Sequence, residues 1–208
     1  ENIALKNGAH RWVLEAMPII EARLPFRLTG IDSDNGGEFI NEALIGWAQE
    51  RDLFFTRARP YHSNDNAHVE QKNGDVVRRH AFHYRYDTAA ELRLLNGLYA
   101  LVRVRLNLFT GTTKAIGYRT NRNGKSVRVY DKPRTPHQRL IDSGVLTAEK
   151  TAELAALFQS TNPAELTRQI TAIQTRLIHR AAAKTAAISA GVSRAKPGEA
   201  RTHLSRAS

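Results

Sequence analysis

Two short clusters carry the residue types that chemistry needs, DSDNGGEF at 32–39 and NDNAHVEQKN at 64–73. Both concentrate carboxylates and carboxamides, and such hard oxygen donors suit divalent cations. An Asp-Asn-Gly step alone marks an ordinary turn. Asp32 and Asp34 stand at alternate positions, as in a calcium-binding loop, but the fifth position is Gly36 and the twelfth is Ala43, where such a loop needs a bidentate glutamate. What makes the first cluster informative is its partner. Asp34 and Glu70 are separated by 35 residues.

The segments around these acids are the elements that must position them. Residues 9–24 have helical spacing, and Pro18 is expected to bend that helix or end it early. Arg27–Ile31 reads as a short strand, Glu38–Arg51 as a helix, and Leu53–Thr56 as a second strand. The polar PYHSNDNA segment is a loop, and a helix runs from Ala67 to Ala81. Glu70 therefore belongs to the first turn of a new helix. In residues 88–109, Leu92, Leu95, Tyr99, Val102, Leu106 and Phe109 recur at helical spacing, although Val102–Leu108 also alternates as a strand would; length favours helix. The basic run around Asn123-Gly124 predicts a β-hairpin near 115–131. Two short helices are expected after it. Asn162-Pro163-Ala164-Glu165 then starts a helix whose apolar face is Leu166, Ile170, Ile173 and Leu177. Beyond about Ala186 the expectation is a disordered tail, 186–208.

Charge divides the chain. Of 208 residues, Lys+Arg number 31 and Asp+Glu 20, a formal net charge of +11. Residues 1–90 hold 11 basic and 13 acidic side chains, and residues 91–208 hold 20 and 7. The second half is thus the part suited to phosphates, whose contacts supply most sequence-independent nucleic-acid affinity. The absence of cysteine excludes disulfides, zinc fingers and thiol catalysis. No apolar run approaches the roughly 18–20 residues of a membrane span. No G-x-S-x-G context accompanies the serines and histidines, which argues against hydrolase chemistry. His62 and His68 flank the loop and are within reach of a phosphate or metal role. His10, His80, His83, His137, His179 and His203 show no ligand spacing, so structural or solvent roles are expected.

Three ordered motifs carry a resemblance: SDNG-EF, T-x-x-R-P-Y at Thr56–Tyr61, and N-D-N-A-x-V-E-x-x-N at 64–73. Together they resemble the integrase catalytic core of bacterial insertion-sequence transposases, in the D,D-35-E superfamily that includes retroviral integrases. The likeness is strong over about residues 28–85 and weaker at YDKPRTPHQRL, 130–140. It implies an α/β chain: a partial ribonuclease-H-like fold over 1–85, then a mostly α-helical basic region over 86–185 containing the hairpin. It implies that Asp34 and Glu70 are catalytic and hold Mg²⁺ or Mn²⁺. It also implies DNA as partner (element ends and target), a homo-oligomer in a synaptic complex, no membrane, and a bacterial cytoplasmic, nucleoid-associated setting. Two metal ions on paired carboxylates suit phosphodiester transfer, because they activate the attacking oxygen and stabilise the leaving one. Arg59 and Lys72 are then candidates to hold DNA phosphates, Asn66 and Asn73 to orient ligands or the scissile phosphate, and Tyr61 to touch DNA.

The pattern also breaks. The family uses three carboxylates, and the first is an Asp on an upstream strand. Before Asp32 this sequence has only Glu1, Glu15 and Glu21. With Glu1 in place of Met, the resemblance implies the C-terminal part of a transposase, truncated and inactive alone. The competing expectation is a non-catalytic basic DNA-binding or transposase-interacting protein.

Overall fold

A computed structural model of the chain describes residues 1–33, 42–59 and 71–194, with side chains described through 189. The architecture is mixed α/β. Helix α1 (His10–Arg23) buries Val13 and Ala16 and packs on α2. It runs through Pro18 to Arg23 rather than ending early. Proline removes one helical amide donor, and the packing of this face offsets that loss.

Strand β1 (Gly30–Ser33), helix α2 (Glu42–Gln49) and strand β2 (Phe54–Arg57) form a β-α-β unit. The strands pair in parallel, Gly30 opposite Phe54 and Ser33 opposite Arg57. Parallel neighbours need a crossover, and α2 lies within it, burying Leu44 and Ala48. Asp52, at φ 53°, turns the chain out of α2 so that Leu53 N–H can donate to Ala48 O at 2.9 Å. Aspartate tolerates that left-handed conformation better than most residues do. The expected strands do share one sheet. Both sit later than their sequence bounds, because pairing starts where Phe54 N–H donates to Thr29 O.

The main core lies among helices. Residues 71–81 form α3, whose middle, Asn73–Arg78, is a π-helix closed by Arg79 N–H donating to Gly74 O. Helix α4 (Ala89–Phe109) starts at a reciprocal capping box between Thr88 and Glu91 and is helical throughout, including the alternating Val102–Leu108 stretch. Thr112 and Arg134 bridge the base of an antiparallel hairpin, β3 (Ala115–Thr120) and β4 (Ser126–Tyr130). Helices α5 (Pro136–Asp142) and α6 (Ala148–Ser160) follow. Helix α7 (Pro163–Arg194) begins where Asn162 Oδ1 accepts from Ala164 N–H at 2.9 Å. Leu98, Val102, Ile170 and Leu177 are fully buried where α4 meets α7. Val76 and Ala81 of α3 join the same cluster, so residues on both sides of position 85 share one core.

The expected onset of disorder at 186 is corrected: α7 continues to Arg194. Its alanine-rich end favours helix, and no proline interrupts it before Pro197. Residues 195–208 of the expected tail lie outside the described residues.

Candidate functional site

The carboxyl ends of β1 and β2 define one edge of the β-α-β unit. In open α/β units that edge is where ligands bind. Its described residues are tied together across the pair. Thr56 Oγ1 donates to Asp32 Oδ1 at 2.9 Å, Ser33 Oγ to Thr56 O at 3.4 Å, and Ala58 N–H to Ser33 O at 2.9 Å. Ser33 is buried, and Asp34 is the next residue in the chain. Asp34, Tyr61, Asn66 and Glu70 lie outside the described residues, as do His62 and His68. Among the described residues, no group of three or more acidic or histidine side chains could hold a metal ion.

The remaining candidates are described. Arg59 is exposed two residues beyond β2. Lys72 and Asn73 are exposed at the start of α3, immediately before and at the first position of the π-helix. A π-turn shifts the angular phase of side chains relative to an α-helix and is frequent at functional sites. Here it falls within three residues of Glu70, a feature that amphipathic periodicity gave no reason to expect.

The upstream acids are engaged elsewhere. Glu1 pairs with Arg103 at 3.0 Å and lies 3.9 Å from Arg23, while Glu21 pairs with Arg51 at 3.5 Å. Glu15 is exposed on α1. His80 is structural, as expected. It is buried, with Nδ1 2.8 Å from Val76 O. A carbonyl can only accept, so Nδ1 carries the proton. Burial lowers the His80 pKa against that hydrogen bond, and the positive charges of Arg105 and Arg79 lower it further.

Two arrangements escaped the sequence reading. The first is Glu91, 1% exposed, which accepts from Thr88 Oγ1, from the amides of Thr88 and Asp87, and from Lys184 Nζ on α7. Burial raises its pKa, but the bonds from Lys184 and Thr88 outweigh burial and hold it at about 2. The second is a clamp at the hairpin base. Arg139 of α5 donates to both carboxylate oxygens of Asp131, at 2.6 and 3.1 Å, and to Thr112 O at 2.6 Å. The Arg139 bonds, with the Lys114 amide, take Asp131 down to about 2. In both cases an acid and a base pair across an interface that local sequence periodicity does not encode.

No protein-family model matches the chain. Over 124 residues, 60% of the chain, it is 37% identical to an uncharacterized protein, y4rM, of Sinorhizobium fredii (strain NBRC 101917 / NGR234). The matched stretch covers 35% of that relative, so the chain spans about a third of the length of the curated protein it matches. No described helix is long and apolar enough to cross a membrane.

Proposed function

We propose that this chain is part of a DDE-type transposase catalytic core, acting on DNA by metal-dependent phosphodiester transfer. The observation that carries the reading is the motif spacing, with Asp34 directly following the first of two parallel strands and Glu70 directly preceding α3. A ribonuclease-H-like sheet is the finer fold that accompanies this reading, and β1 and β2 would be two of its strands.

Asp34 and Glu70 would hold Mg²⁺ or Mn²⁺, since carboxylate oxygens are the donors such ions take. The ion, when bound, supplies Lewis-acid stabilisation of phosphoryl oxygens. The protein's own part is positioning. Thr56 fixes Asp32 and with it the edge from which Asp34 emerges. Lys72 and Arg59 present positive charge to phosphates, and Asn73 offers a carboxamide to orient one. Asn66 and Tyr61 belong to the same proposal by resemblance. The family's third carboxylate lies on an upstream strand; of the acids before Asp32, Glu1 and Glu21 pair with arginines and Glu15 is exposed on α1. Two ligands hold an ion loosely, so the chain by itself is expected to give no strand transfer.

Titration of Mn²⁺ into the full chain tests this reading, alongside Asp34→Asn and Glu70→Gln. Weak binding that both substitutions abolish is expected. Binding indifferent to both would favour the alternative, a basic DNA-binding or transposase-interacting protein without chemistry. A strand-cleavage assay with Mn²⁺ adds a second check: robust turnover by the chain alone, abolished by Glu70→Gln, would refute the need for a third ligand.

A further inference from the structure

The β3–β4 hairpin has no structural reason to look as it does. Every residue of β3 is exposed, and so are all of β4 except Val129. The ribbon is a two-stranded sheet with both faces and both edges uncovered among the described residues. Isolated ribbons of this kind are marginal in water. This one is held at its base by the Arg139–Asp131 clamp and the Thr112–Arg134 bridge, and at its tip by Asn121 Oδ1 accepting from the Asn123 and Lys125 amides. Gly124, at φ 74°, completes that turn. Large apolar side chains point out regardless: Tyr118 is 68% and Tyr130 52% exposed. Between them sits Arg128, cross-strand from Tyr118 and two residues before Tyr130, so the three share one face of the ribbon.

Its charge is one-sided. From Thr112 to Arg134 seven basic residues face one acid, and that acid, Asp131, is neutralised by Arg139. Arg119, Arg122 and Lys125 are exposed toward the tip, and Lys114, Lys132 and Arg134 at the base. An open groove of about 450 Å³ beside the base is lined by Lys132, His137 and the Arg134–Asp142 ion pair. Charged edges of one sign oppose pairing with a second copy of the same ribbon. The same charge complements a polyanion.

The geometry points to this hairpin as a DNA-duplex contact that inserts into the major groove, with Arg119, Arg122 and Lys125 on phosphates and the Tyr118–Arg128–Tyr130 face toward base edges. The B-form major groove admits a two-stranded β-ribbon and walls it on both faces. A single strand laid on an aromatic platform would cover one face and leave the other bare. An A-form RNA duplex has a major groove too narrow for side chains to read. The inference extends the DNA-binding part of the proposed function and is independent of Asp34 and Glu70.

The test is fluorescence anisotropy of the full chain with a random-sequence DNA duplex, one of its separated strands, and an RNA duplex of matching sequence, each over a salt series. The parent is expected to prefer the DNA duplex. Combining Arg119→Gln, Arg122→Gln and Lys125→Gln should lower the slope of log affinity against log salt by about three, one per lost phosphate contact. The same charge change at exposed Arg93, Arg176 and Arg180 should leave most of the slope intact. An equal loss from that control would mean diffuse attraction and overturn the assignment. Asp131→Ala gives a test of opposite sign. It makes the chain more positive, so diffuse attraction predicts tighter binding; a ribbon that must be held upright predicts weaker binding. Tighter binding, preference for the single strand, or hairpin substitutions that change only the oligomeric state would each overturn the proposal. Failure here leaves Mn²⁺ binding at Asp34 and Glu70 unaffected, so the two readings fail separately.

Discussion

One substitution, made at two glycines, should change stability in opposite directions. A Cβ at Gly30 would lie 2.8 Å from Phe54 O and 3.1 Å from Phe54 Cβ. The first contact is with backbone of the paired strand, which cannot rotate away, so β1 and β2 must separate. Phe54 N–H donates to Thr29 O at 3.0 Å beside that contact, and the separation strains this bond too. Overpacking of this kind costs about 1–3 kcal/mol. Restricting the unfolded chain returns about 0.4–1 kcal/mol, leaving a net loss of roughly 1–2 kcal/mol for Gly30→Ala. At Gly46, inside α2, a Cβ meets nothing within 4 Å. Gly46→Ala should therefore stabilise by about 0.5–1 kcal/mol, the cost of a glycine in a helix. For a chain of this size, ~1 kcal/mol moves Tm by about 2–4 °C. Thermal unfolding followed by circular dichroism should show Gly30→Ala lower by roughly 2–8 °C and Gly46→Ala higher by roughly 1–4 °C. A Gly30→Ala protein as stable as its parent would show that Gly30 does not face Phe54. The parallel register, and with it the strand edge that ends at Ser33 and Arg57, would then be wrong.

Other outcomes follow from the helical core and its buried acid. Leu177→Ala removes a fully buried side chain between α4 and α7 and should cost about 2–5 kcal/mol, read by urea unfolding. Leu157→Ala on α6, at 38% exposure, should cost clearly less; equal losses would contradict the placement of the core. Glu91 titrates at about 2 when folded, below its ordinary 4.5. A lowered carboxylate stabilises the fold above its unfolded pKa and loses that contribution as pH falls. Stability should therefore decline from about pH 4.5 toward pH 2, and Glu91→Gln should flatten that decline even while lowering stability at neutral pH. An unaltered acid limb in the variant would show that Glu91 is not the group responsible.

What the sequence made legible was local. The Asn162-Pro163 start of α7 and the Asn123-Gly124 hairpin each rest on a few adjacent residues with fixed conformational preferences. The apolar stripe of α4 was legible because its period repeats over the whole helix. The pieces that were not legible depend on distant partners. Glu1 reaches Arg103, Ala4 exchanges two hydrogen bonds with Asn96, and Lys184 reaches Glu91. None of these pairs leaves a periodic trace, because each needs the fold before it can form. The π-helix of α3 is similar: Asn73–Arg78 has no composition that marks a five-residue hydrogen-bond step. The candidate carboxylates were legible by spacing and motif, whereas Thr56 as the residue that ties down Asp32 was not.

The charge division also acquires a physical meaning. An acidic-neutral first half would repel the phosphates that the second half attracts if its carboxylates stood free. Several do not. Glu1, Glu21, Glu50 and Asp75 each pair with an arginine. In the second half the same device works in the other direction. Asp131 is bound by Arg139, and Glu165 by Arg168 at 2.7 Å, while the cations of the hairpin remain exposed. Pairing thus spends acids on holding the fold together in both halves and leaves unbalanced positive charge on the ribbon. Exposed pairs of this kind contribute little stability individually. Their larger effect is on the field that an approaching polyanion meets, because each neutralised carboxylate removes a repulsion over about a Debye length of ~8–10 Å. On the proposed reading, a divalent cation held by Asp34 and Glu70 would cancel their negative charge at the point where the phosphodiester must sit.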